Sequence, residues 1–355
     1  MLALALSLSL LASSTPQVEK AVPLQEPPAQ VMALPPELRS RLQREVIAKS
    51  TSPRDRFDRL INLFHGSNGL DLAYKGDATQ TVGQTYATRS ANCLSFTMIF
   101  IALAREAGLD AQPQEIRKTL IWRQDGGILY RVNHINTVVR FNGFTQVVDV
   151  LQNAVTPLED PEPISDRRLL AHYYNNLAMD YLDQRQLEHA RQYMDQALKL
   201  DPEHADNWSN SGVLHMYMKD FVSARRAFSR ALEIDPKDIS ALTNMISLAE
   251  RQGDTPLAKE LRNRLEHLQE IDPLYHFLQA ELDEQSGDYP NAITHYHRAI
   301  RLHGNEPRFY DALARTYLKA GDQASALGAW RQAARWSTGS ERSGYRQKLE
   351  SLQAK

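Results

Sequence analysis

The chain has 355 residues, roughly twice a common single-domain length, so two domains are the first expectation. Hydrophobic residues at 42% and charged residues at 24% exclude a wholly disordered or fibrous chain. The 41 Lys+Arg and 43 Asp+Glu give a net charge of -2, without the basic excess of a general nucleic-acid binder, and no apolar run reaches the roughly 18 residues of an ordinary membrane-spanning helix.

Leu2 to Ala12 is a run dominated by Leu and Ala, followed by Ser13, Ser14 and Thr15. Its length suits a secretory leader, and Ala12-Ser13-Ser14 resembles a small-residue cleavage site, although no Lys or Arg precedes the run. Residues 1–15 are expected to be a signal peptide, and the protein periplasmic or otherwise exported. Six prolines between Pro16 and Pro36 make 16–36 an expected extended linker. The single cysteine, Cys93, lies far downstream, so the sequence as it stands is not that of a lipoprotein. One cysteine also excludes an intramolecular disulfide and a cysteine-rich zinc site.

Residues 37–155 carry a different pattern. Helices are expected after Pro35-Pro36 and from Ser52-Pro53, where Ser is a good N-cap and Pro suits the first turn. A polar loop is expected from Gly66 to Ala91. Cys93 to Ala107 is nearly all apolar, which predicts a central buried helix with Cys93 in its first turn and Gly108 as its stop. Three strand-like stretches follow, at about Gln114 to Trp122, Ile128 to Phe141 and Phe144 to Val150. Asp125-Gly126-Gly127 separates the first two, and Asn142-Gly143, a strong hairpin signal, the second pair.

The register of that second hairpin follows from its turn. A two-residue loop pairs Phe141 with Phe144, so paired numbers sum to 285. Asp149 then lies opposite Asn136 and diagonal to His134. Diagonal neighbours sit roughly 7–8 Å apart at the backbone, within reach of an imidazole and a carboxylate. A thiol at a helix N-terminus feels the positive end of the helix dipole, an imidazole can take its proton, and a carboxylate orients the imidazole. Cys93, His134 and Asp149 are the residue types that this chemistry needs. The Cys93 backbone N–H is the expected oxyanion donor, with Tyr86 or Gln84 as a second.

A helix-borne Cys, then a His on a strand, then an Asp on the next strand resembles the transglutaminase-like superfamily. "NCLSF" followed by "ALAREAGLDA" resembles its bacterial members that carry C-terminal tetratricopeptide repeats. The chain departs from that pattern at Ala91-Asn92, where many members have Gly, and at Asn136, where many have an aromatic. The resemblance implies an α+β papain/transglutaminase-like fold for 37–155 and a Cys93–His134–Asp149 triad.

After a Pro- and acid-rich connector at 156–170, the chain repeats with a period of 34 residues. Small residues recur at Ala190, Ala224, Ala258, Ala292 and Ala326. A second column holds Ala197, Ala231, Leu265, Ala299 and Ala333, and a third Ala178, Gly212, Ile246, Ala280 and Ala314. A bulky column holds Met194, Phe228, Arg262, Tyr296 and Trp330. This resembles the tetratricopeptide repeat, a helix-turn-helix of that length. Five units are expected at 171–204, 205–238, 239–272, 273–306 and 307–340, the third degenerate at Ile246 and Arg262, with a capping helix at 341–355. The inner positions of the first two units, His172, Asn175, Met179, Asp206, Ser209 and Val213, are expected to face a protein or peptide partner. Asn175 and Ser209 stand where a carboxylate clamp would need lysine, so that clamp is not expected.

No phosphate-binding glycine motif, cofactor signature or metal site is apparent. His295 and His297 are two apart on an expected helix and do not share a face. Two classes of function follow. One is an exported thiol acyl-transfer enzyme, a cysteine peptidase or amidase if water takes the acyl group and a transglutaminase if an amine does. The other is a non-enzymatic adaptor or envelope assembly factor whose repeats act and whose triad is vestigial. The leader makes the first prediction: the mature chain starts between about Ser13 and Gln17, outside the cytoplasm. Cell fractionation with amino-terminal sequencing checks it, and Met1 retained on a cytosolic protein counts against it.

Overall fold

The structure, a computed structural model, describes residues 26–65, 69–116, 122–125, 128–131, 134–150 and 161–353. The expected signal peptide and much of the expected linker and connector lie outside the described residues. Prolines open the first helices: α1 (Pro28–Val31), α2 (Pro36–Leu42), which passes into a π-helical turn at Gln43–Ile47, and α3 (Pro53–His65). Proline suits that position because the N–H it lacks has no helical partner anyway. Residues 26–36 are not an extended spacer. Val31 is fully buried, and the Tyr174 hydroxyl donates to the Glu26 carbonyl at 2.7 Å. The apolar Val31, Met32 and Leu34 between the prolines supply the packing face.

The stretch expected as a polar loop holds three elements. β1 (Ala73–Tyr74) pairs in parallel with β2 (Ser90–Ala91), and α4 (Val82–Thr88) lies between them. Thr81 and Gln84 form a reciprocal capping box that starts α4. Then α5 (Cys93–Glu106) begins, with Asn92 as N-cap accepting from the Ser95 N–H, and ends before Gly108 at φ 74°.

Five strands complete this α+β region: β3 (Asp110–Ile116), β4 (Trp122–Asp125), β5 (Ile128–Arg131), β6 (His134–Phe141) and β7 (Phe144–Val148). With β8 (Glu162–Pro163) they make a sheet of order β7-β6-β3-β8 and a separate β4–β5 ribbon. The expected long strands are thus divided: Gln114–Trp122 into β3 and β4, and Ile128–Phe141 into β5 and β6. The β6–β7 register is the derived one, Phe141 opposite Phe144 and Thr137 opposite Val148. Asn142 at φ 48° and Gly143 at φ 78° give both central turn residues the left-handed conformation that a two-residue hairpin favours.

The array follows almost at once, because β8 pairs with β3 and Ser165 already caps the next helix. Its helices are α6 (Asp166–Asp183), α7 (Leu187–Leu200), α8 (Ala205–Tyr217), α9 (Phe221–Ile234), α10 (Ile239–Arg251), α11 (Thr255–Glu270), α12 (Pro273–Ser286), α13 (Tyr289–Leu302), α14 (Pro307–Lys319), α15 (Gln323–Trp336) and α16 (Gly339–Gln353). Asp220, Asp254, Asp288 and Asp322, one repeat apart, cap the second helix of their units. Among the described residues no helix is long and apolar enough to cross a membrane.

Two cores hold the molecule. One runs without a break from Val31 through the α+β region to Leu261 in α11, and the other joins Leu274 to Tyr345. α5 meets α6, and β5 lies against α8 and α10. The inner face of the first units is therefore covered by the chain's own α+β region. His172, Asn175, Ser209 and Val213, expected to meet a partner, are buried, and Met179 and Asp206 are half-buried. The sequence pattern identifies the inner face but not what fills it.

The small columns are close approaches. A Cβ added to Gly212 in α8 would lie 2.4 Å from the Phe228 ring of α9, and that ring is fully buried. Gly212→Ala gains roughly 1 kcal/mol of helix propensity but overpacks a rigid neighbour at a cost of about 1–3 kcal/mol. The expected result is a lower thermal midpoint for Gly212→Ala, partly restored by adding Phe228→Leu.

Candidate functional site

Three local devices bring the thiol site together. The Asn92 side chain caps α5 and places Cys93 at its first position, part-exposed. The two-residue turn sets β6 against β7 and puts Asp149 one step beyond the last ladder pair. Thr97, one helical turn after Cys93, donates from Oγ1 to the Ile135 carbonyl at 3.1 Å, fastening the thiol-bearing helix to the strand beside His134.

His134 Nε2 and Asp149 Oδ2 are 2.6 Å apart, and Asn136 Nδ2 donates to the same oxygen at 3.1 Å. His134 is buried. Burial pushes its imidazole down, but the hydrogen bonds it makes to Asp149 and Cys93, with their electrostatic interactions, outweigh that and hold it at about 9. His134 is thus cationic at neutral pH and faces the Cys93 sulfur. With Nε2 held by Asp149, Nδ1 is the ring nitrogen available to that sulfur. The arrangement offers a nucleophile at the positive end of a helix, a proton donor beside it and a carboxylate that fixes the donor's orientation.

Gln84 Oε1 accepts from the Thr81 N–H at 2.9 Å, its Nε2 donates to Glu26 Oε1 at 2.5 Å, and the Arg89 guanidinium lies over the Tyr86 ring. Their assigned engagements therefore give no support to either as the second oxyanion donor. Tyr74, which no sequence motif marks, feels the charge of the site. Burial pushes its hydroxyl up, and charge on Cys93 and Asp149 pushes the same way. The parallel pairing of Tyr74 with Ala91, two residues before Cys93, brings it there. A cleft of about 350 Å³ lies nearby, lined in part by Thr79, Gln80, Tyr173, Tyr181 and Tyr193. Thr79 Oγ1 accepts from Asn92 Nδ2 at 2.9 Å, so a wall of the cleft also holds the cap of α5.

A group of described residues able to hold a metal ion lies elsewhere: Glu115, His172 and His204, which no sequence spacing joins. His276 Nδ1 and His295 Nδ1 are 3.1 Å apart, while His297 Nε2 meets the Tyr317 hydroxyl at 2.9 Å, so His295 and His297 diverge as their spacing implied.

Comparison with known families matches the tetratricopeptide-repeat model at residues 175–239 and 277–340, and the C-terminal region carries these repeats. No curated protein matches the chain. Among solved structures it is similar to YrrB, a tetratricopeptide-repeat protein with an unusual peptide-binding site, at 19% identity over 50% of this chain and 92% of that one, TM-score 0.27. It is similar to MamA of Desulfovibrio magneticus RS-1 at 15% identity over 48% and 96%, TM-score 0.27. It is also similar to PilF of Pseudomonas aeruginosa at 17% identity over 53% and 94%, TM-score 0.29.

The site makes two measurable statements. Native Cys93 should react with iodoacetamide at pH 7, at least about tenfold faster than in His134→Ala; labelling that needs denaturant would make Cys93 an ordinary core residue. The His134 value is raised from 6.5 to about 9, so its charged form stabilises the fold. That stabilisation, on the order of 3 kcal/mol, is whole below about pH 6.5 and is lost as pH rises through about 9. The stability gap between wild type and His134→Gln should therefore be widest near pH 6 and close by pH 10, and an imidazole NMR titration should give a midpoint near 9 that falls in Asp149→Asn.

Proposed function

We propose that the repeats recruit a protein or peptide and that Cys93, His134 and Asp149 act on one of its amide bonds by thiol acyl transfer. The matched family model supports the recruiting half. The observation that carries the chemical half is the 2.6 Å contact between His134 and Asp149 beside a thiol at a helix start. The chain order of Cys helix, His strand and Asp strand supports a transglutaminase-like or papain-like domain, and the expected leader supports action in the cell envelope.

In this reading the Cys93 sulfur attacks the amide carbonyl carbon while the developing oxyanion meets the backbone N–H at the start of α5. His134 gives its proton to the leaving amine, and the acyl group stays on sulfur as a thioester. Water, deprotonated by His134, then releases the acid, or an amine releases a new amide. The first outcome is a peptidase or amidase, and the second a cross-linking transglutaminase.

Recruitment falls to the later units. The first inner face is filled from within, whereas the same frame in the fourth and fifth units presents the half-buried Glu281 and Asp311 and the exposed Arg315. A second reading, a repeat-based adaptor or envelope assembly factor with a vestigial triad, is favoured by the family match, which reaches only the repeats.

Full-length protein decides between them, because one core spans the α+β region and the first units and an isolated 36–160 fragment would expose it. Cys93→Ala should capture the same partner as wild type from cell-envelope extract but leave it unmodified. Asp149→Asn should lower turnover by about 10⁴-fold through loss of imidazole orientation. If Cys93→Ala restores every phenotype of a deletion strain, the adaptor reading replaces the enzymatic one.

A further inference from the structure

A second cluster of chemically capable side chains lies where the sheet meets the array. Glu115 is next to last in β3, His172 sits in the second turn of α6, and His204 immediately precedes α8. All three are buried. Glu115 Oε1 stands 3.5 Å from His172 Nε2 and 3.5 Å from His204 Nε2. One donor atom from each residue lies within 4.8 Å of the other two. The imidazoles meet edge to face, at 76° with centroids 4.8 Å apart, and are not stacked.

The spacing and the unpaired nitrogen of His172 are what point to an ion. A direct N–H···O bond would bring nitrogen and oxygen to about 2.7–3.2 Å. Both nitrogens stand farther off; His204 keeps a long hydrogen bond to Glu115, whereas His172 Nε2 has no hydrogen-bond partner although it is sealed from solvent. A tetrahedral ion with bonds of about 2.0–2.1 Å sets its donor atoms about 3.3–3.4 Å apart. The two separations from Glu115 Oε1, 3.5 Å each, are close to that edge, and the edge between the imidazoles lies within 4.8 Å. Two imidazoles and a carboxylate suit zinc-class divalent ions; calcium and magnesium take oxygen. Asp206 Oδ2 stands 4.0 Å from His204 Nε2 as a further carboxylate at the same place. The neighbouring cation, Arg168, is engaged by Asp201 at 2.6 Å.

We propose that Glu115, His172 and His204 bind one zinc-class divalent cation that ties β3 to the first repeat. The ion would add a bond to each of three buried polar groups that meet at one point. Its ligands come from the sheet, from α6 and from the turn before α8, so it would clamp the α+β region to the array at the start of the solenoid. The proposal is independent of the thiol chemistry.

The test uses the full chain carrying Cys93→Ser, so that the thiol cannot hold metal. After chelator stripping and dialysis against zinc chloride, elemental analysis should find one zinc per chain, and the thermal midpoint should rise with zinc and fall back on chelation. Glu115→Gln and His172→Gln should each weaken zinc binding at least about a hundredfold, the upper end of what loss of even an outer-shell partner costs. If loss of the buried carboxylate unfolds the protein, His204→Gln serves instead, since the His204 side chain makes no cap bond to α8. His276→Gln, which breaks the His276–His295 contact, should leave the stoichiometry unchanged. Less than one zinc per chain, or zinc that survives His204→Gln, or zinc lost with His276→Gln, overturns the proposal.

Discussion

The rest of the structure depends on how the first repeat buries its inner face. A helical repeat cannot cover its own apolar surface, so an array needs a cap at each end. Here α16 closes one end, and the α+β region closes the other. Leu169, Tyr173 and Tyr174 of α6 join the same core as Val31, Leu103 and Val139. The Glu26 carboxylate and carbonyl receive the Tyr173 and Tyr174 hydroxyls, at 3.3 and 2.7 Å, which satisfies polar ends that burial would otherwise penalise. Two regions distinct in pattern thus become one packing unit.

That union also fixes the thiol site. Cys93 and His134 belong to different elements, and their relation depends on how α5 sits on the sheet. α5 is apolar on nearly every side, with Phe96, Met98, Ile99, Phe100 and Ile101 all buried. A helix covered on all sides has little freedom to slide or turn. The Thr97 bond to the Ile135 carbonyl then sets its axial position against β6. Preorganisation of this kind lets a thiol and an imidazole stay in register without a ligand.

Legibility followed the range of the interaction. The β6–β7 register was readable because Asn142-Gly143 leaves the turn few options, and the period of two then carries His134 and Asp149 to one face. The start of α5 was readable from the apolar run that opens at Cys93; its cap, Asn92, emerges only in the structure. The α4 helix was readable in principle, since Thr81 and Gln84 have capping-box spacing, but Gly83 and the polar surroundings favoured a loop. The division of the long strands was not readable, because β-branched and aromatic residues continue through Trp122 and Tyr130 whichever way the backbone turns. Nor was the Glu115, His172 and His204 cluster: its members are far apart in the chain and meet only once the array docks on the sheet.

The third repeat shows how one column sets the limits of a unit. Met194, Phe228, Tyr296 and Trp330 are buried at the bulky position, while Arg262 turns outward to pair with Glu250. α11 buries only Ala258 and Leu261, and the first core stops there. With no large side chain to interdigitate, packing between the third and fourth units cannot be as continuous as within either core. The array therefore consists of a segment committed to the α+β region and a segment with its own core, joined where the repeat is weakest.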